Sequence, residues 1–118
     1  IMNHLIEIKG QRYVLRQHPQ KLTLLSFPHL ALLHHLYLAS TYCYLNAETQ
    51  EILIIYQNEI SILKVAVPPL QITIVQQSFV EWEPLGGILM RNSVVLYGVH
   101  SIIFYSRASI MEVSTSPA

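Results

Sequence analysis

Apolar and polar positions in this chain alternate in short runs, and the runs come in pairs. Leu5-Ile6-Glu7-Ile8-Lys9 half-alternates, Gly10-Gln11 turns, and Arg12-Tyr13-Val14-Leu15-Arg16 returns. That pattern predicts a hairpin over 4–16. A loop containing Pro19 leads to a strand-like Leu22-Thr23-Leu24-Leu25. Residues 28–38 read differently: Ser26 is placed to cap a helix, Pro28 to open it, and Leu30, Leu33 and Tyr37 to share one face. Leu and Ala favour helix, so one short helix is expected there. Beyond Thr41 the β signal dominates, with strands expected over 41–45, 51–57, 60–67, 70–76 and 79–82. Pro68-Pro69 ends the third of these, because proline cannot donate into a ladder. Shorter strands are expected at 88–90, 93–97, 101–105 and 109–113.

These elements predict a mostly β fold: antiparallel hairpins forming a small barrel or sandwich, with one short helix near residues 28–38. A single domain over 1–113 and a flexible tail over 114–118 are the expected boundaries. Composition adds a constraint. Apolar residues make up 52% of the 118 and charged residues 12%, about half the usual charged share of roughly 25%. So little ionic coat favours a surface partly covered by a partner or a second copy, over a poorly soluble domain with a Gln-, Ser- and His-decorated exterior.

Charge and chemistry narrow the function classes. Lys and Arg total seven, the acids total seven, all of them glutamate, and the net charge is zero. No long-range field steers the chain onto a phosphate backbone, so DNA is not an expected partner. The mild basic cluster at 9–21 reads as a solvated loop face with local reach to anionic groups. The absence of aspartate excludes the commonest Ser-His-Asp triad, the calcium loop and the magnesium-holding Asp of phosphotransferases. Cys43 is the single cysteine. It reads as a buried structural thiol, since no neighbouring base lowers its pKa, and it fits an intracellular, cytoplasmic location. Leu22–Ala47 carries no charged residue, but Pro28, three histidines and Asn46 argue against a spanning helix.

No arrangement supports catalysis or a metal. His29, His34 and His35 lack the i, i+4 spacing of a zinc helix. Ser101 beside His100 has no G-x-S-x-G frame. Gly86-Gly87 reads as a turn before a strand. Glu81 and Glu83 read as a solvated edge. Trp82 is the lone tryptophan, and tryptophans are favoured interface anchors.

Two resemblances follow from particular residues. Ile52–Tyr56 leading into Ile60–Leu63 is echoed by Val94–Tyr97 leading into Ser101–Phe104, with Tyr56 and Tyr97 aligned 41 positions apart. This spacing looks like successive blades of a β-propeller, although no Trp-Asp signature is present and a full propeller needs about four blades. Separately, Leu85–Val95 with Arg91 resembles the second motif of Sm-like RNA-binding barrels. Arg91 is followed here by Asn92 rather than glycine, and only Leu45-Asn46 approximates the end of the first motif. That resemblance implies RNA contacts at Asn46 and Arg91.

The expected function is a non-enzymatic protein-protein interaction or assembly module. It buries apolar strand edges against a protein partner or a second copy, with Trp82, Phe79, Tyr97 and Tyr105 as partner-binding candidates. RNA binding through Asn46 and Arg91 is the alternative. No cofactor is expected.

Overall fold

Lys9 and Gly10 both adopt left-handed backbone, with φ of 49° and 79°. Two such residues in a row make the tight turn whose twist matches flanking strands, and they set the first hairpin. The structure, a computed structural model, describes residues 1–110. It is 60% strand and 4% helix. β1 (Met2–Ile8), β2 (Gln11–Gln17), β3 (Leu22–Ser26) and β4 (Leu32–Leu36) form the first sheet, in that order. β5 (Tyr42–Asn46), β6 (Glu51–Tyr56), β7 (Glu59–Ala66) and β8 (Gln71–Phe79) form the second. β9 (Gly86–Leu89), β10 (Ser93–Tyr97) and β11 (Ile102–Ser106) form the third. Each sheet is a meander of sequence neighbours, and every registered pairing is antiparallel. None of the sheets closes into a barrel.

The expected hairpin fold is therefore present, but its helix is elsewhere. Residues 28–38 contain β4, which pairs with β3, so the helix expected there is corrected to a strand. Ser26 does accept a backbone N–H, that of Ala31 at 2.9 Å, but the bond closes the β3–β4 loop rather than a helical turn. Leu30 sits at a φ of 60°, which interrupts any helix. The tertiary need of Leu22–Leu25 for a partner strand outweighs the local preference of Leu and Ala. The short helix lies at 107–110 instead, where Ser106 Oγ accepts the Ser109 N–H at 3.0 Å, a capping contact. Ser109 and Ile110 are thus helical, not the start of a last strand. The rest of that expected strand and the 114–118 tail lie outside the described residues.

The chain groups into two compact units, Ile1–Ser40 with Val65–Thr73, and Thr41–Lys64 with Ile74 onward. In the first, Leu15, Leu22 and Leu24 are fully buried. His18 lies against Thr23 Oγ1 at 3.2 Å. Burial, then the charges of Lys21 and Arg16, hold its imidazole below the ordinary value of 6.5. The unfolded chain therefore takes up this proton first as pH falls. We expect stability to drop as pH falls below about 6.5, and His18→Gln to flatten that slope in thermal melts between pH 7.5 and 5.5.

In the second unit, two sheets pack over a shared core. Leu53, Ile55, Ile60 and Ile62 from β6 and β7 meet Leu89, Val94 and Leu96 from β9 and β10, with Val80 and Ile110 completing the cluster. The opposite-facing Ile52, Ile54 and Leu63 are buried too, which is why β6 reads as an unbroken apolar run. Arg107 ties the rim. Its guanidinium makes two bonds of 3.0 Å to the Glu51 carboxylate and one of 3.3 Å to the Arg91 carbonyl. Breaking a largely buried, two-bonded pair strands the remaining charge. Arg107→Ala is expected to cost about 2 kcal/mol in urea denaturation.

Candidate interaction surface

The third sheet has two unlike faces. Register places Leu89 opposite Val94 and Val94 opposite Tyr105, all on the core side. The other face begins with the row Ile88–Val95–Phe104 across three strands. The next row is Gly86–Tyr97–Ile102. Phe104 is 70% exposed, Ile102 68% and Tyr97 40%. Ile88 and Met90 extend the same face and are also exposed. No charged side chain interrupts these rows. β11 ends the sheet, and among the described residues it has one strand neighbour, β10. Its five residues, Ile102-Ile103-Phe104-Tyr105-Ser106, carry no charge. Edge strands usually carry a lysine, a proline or a bulge that discourages pairing, and this one has none.

The other sheet ends differ. β5 is already engaged: Tyr42 Oη donates to the Gly87 carbonyl at 2.8 Å, and Asn46 Nδ2 to the Leu89 carbonyl at 2.7 Å, both on β9. β1 carries Glu7, and β4 carries His34 and His35. β8 is held through Gln76, whose Nε2 donates to the Arg107 carbonyl at 3.0 Å.

The four aromatic candidates do not form one patch. Tyr97 lies on the open face. Tyr105 points to the core side, where its hydroxyl accepts the Trp82 indole N–H at 3.1 Å. Trp82 is half-buried and its ring lies against Gly98. It is positioned by Val80, which Asn58 clasps through both its side chain and its carbonyl at 3.0 Å. Phe79 is exposed, on β8 of the second sheet. Sequence alone does not mark Ile102, Phe104 and Ile88, since a run such as Ile-Ile-Phe-Tyr reads equally as a buried strand.

Asn46 and Arg91 come close through shared neighbours, but their polar atoms are occupied. Asn46 Oδ1 accepts the N–H groups of Glu48 and Thr49, and its Nδ2 binds β9. Arg91 pairs with Glu48 at 3.0 Å on the surface. Among the described residues no group of His, Cys and Glu is arranged to hold a metal. Burial pushes the Cys43 thiol up to about 12. We expect Cys43 to resist a thiol-reactive dye at pH 8 in the folded protein and to react at once in denaturant. Among the described residues no helix is long and apolar enough to cross a membrane, and 22–47 forms β3, β4 and β5 instead. No protein-family model matches the chain, and no curated protein matches its sequence.

Proposed function

We propose that this chain is a non-enzymatic assembly module, whose third sheet is covered by a second copy of the same chain. The supporting observation is the two uncharged rows that expose Ile88, Tyr97, Ile102 and Phe104 and end on β11, which among the described residues has one strand neighbour. Scattered exposed apolar residues need no explanation, but a contiguous apolar face does. A second copy is favoured over an unrelated partner by charge. The chain's net charge is zero, so copies do not repel one another at long range. The strand β11 carries no charge that a second copy must oppose or desolvate. The Asn46 and Arg91 side chains, already bonded within the fold, give RNA no comparable support. Light scattering over a concentration series tests the reading. The expected result is a mass rising above 13.5 kDa with concentration, and a constant monomer mass rejects it.

A further inference from the structure

The first sheet carries a face that matches the open face of the third. Register puts Leu5, Val14 and Leu25 in one row across β1, β2 and β3, and Leu32 of β4 stands opposite Leu25 beside a β-bulge. Val14 and Leu25 are shielded at its centre, while Leu5 and Leu32 are 59% and 60% exposed at its ends. The third sheet repeats this design: Val95 is shielded between exposed Ile88 and Phe104. Each row flanking the first-sheet stripe carries one arginine. Arg16, held to Asn3 Oδ1 at 2.8 Å, stands on one side, and Arg12, opposite Glu7, on the other. Across the first unit, four Lys and Arg stand against one glutamate; across the second, three stand against six glutamates. Two of those six, Glu81 and Glu83, are exposed just before β9.

We propose that copies associate head to tail, with the outer face of the first sheet of one copy packing on the open face of the third sheet of the next. This rests on the assembly reading above and specifies its geometry. Two sheets packed through apolar rows is the arrangement the second and third sheets already use within one chain. Charge then favours unlike faces over like ones. Pairing two third-sheet faces brings two acidic units together, whereas pairing third with first brings an acidic unit to a basic one. Such a contact joins different surfaces, so it repeats until the geometry closes a ring.

Two double variants test it. Leu5→Lys with Leu32→Lys blocks the first-sheet face, and Ile102→Lys with Phe104→Lys blocks the third. All four positions are exposed, so folding is expected to survive, and circular dichroism with thermal melts verifies it. The expected result is that each variant alone yields no species larger than the monomer, while their equimolar mixture forms a one-to-one heterodimer through the two intact faces. If the first-sheet variant alone associates as the wild type does, the head-to-tail geometry is wrong and the assembly reading stands. If both variants are folded, the wild type associates and the mixture stays monomeric, the pairing is likewise wrong. A wild type that never associates removes the assembly reading and this inference with it. As a second readout, Leu5→Cys in one copy and Phe104→Cys in another are expected to crosslink with a short bismaleimide. Strong crosslinking of Phe104→Cys to itself would overturn the geometry.

Discussion

Gly87→Ala is expected to lower stability by about 3 kcal/mol or more. Gly87 lies in β9, directly opposite Leu96. A Cβ there would stand 2.5 Å from the Val95 carbonyl oxygen, 2.9 Å from Leu96 Cδ2 and 3.3 Å from Leu53 Cδ2. The first obstacle is backbone on the neighbouring strand, which cannot rotate away. Relief requires β9 and β10 to separate, and that opens the core shared by Leu53, Leu89 and Leu96. Gly86→Ala is the control. Its closest obstacles are side chains and not backbone: the hydroxyl end of Tyr97, which is free to swing, and the ring edge of Tyr42, which can yield at the cost of its bond to the Gly87 carbonyl. Thermal melts are expected to show a drop of about 10 °C or more for Gly87→Ala and a clearly smaller one for Gly86→Ala. Equal melting temperatures for the wild type and Gly87→Ala would mean that β9 does not sit where described.

The second large effect is on association. Ile102→Lys with Phe104→Lys is expected to weaken self-association at least about 100-fold. Covering two such side chains is worth roughly 3 kcal/mol or more in transfer terms, and every 1.4 kcal/mol is about tenfold in affinity. Lysine also supplies the charge that natural sheet edges use against pairing. Both residues are exposed in the isolated chain, so monomer stability is expected to stay within about 0.5 kcal/mol of the wild type. Sedimentation velocity across a concentration series separates the two quantities. A variant that associates as tightly as the wild type would place the contact on another surface. A variant that unfolds would show that these side chains belong to the core.

Where the sequence was legible, the reason is periodicity. The 4–16 hairpin, the β6–β7 pair and the β10–β11 pair follow from alternating or continuous apolar runs around short polar breaks. The forty-residue echo also extends further than Tyr56 and Tyr97 suggested: the three meanders begin at Met2, Tyr42 and Gly86. The first was obscured because its last strand, Leu32–Leu36, is written in helix-favouring residues and pairs only through tertiary contact. Gly86-Gly87 misled for a related reason. Two glycines suggest a turn, but here they form a strand because a close approach leaves no room for side chains. The open face could not be seen at all. An apolar run looks the same in a central strand as in an edge strand, and only the sheet order distinguishes β6, buried on both sides, from β11. The side-chain bonds that commit Asn46 and Trp82 likewise join residues 43 and 23 positions apart, beyond the reach of local pattern.

Hydrogen exchange at β11 tests the central claim most directly. Ile102, Ile103 and Phe104 are all exposed in the isolated chain, and theirs is the strand a second copy is proposed to shield. The account predicts that amide protection across 102–106 rises with protein concentration in the wild type, and that the rise disappears when Ile102 and Phe104 are both lysine. Protection across these amides that stays constant from dilute to concentrated solution would contradict it.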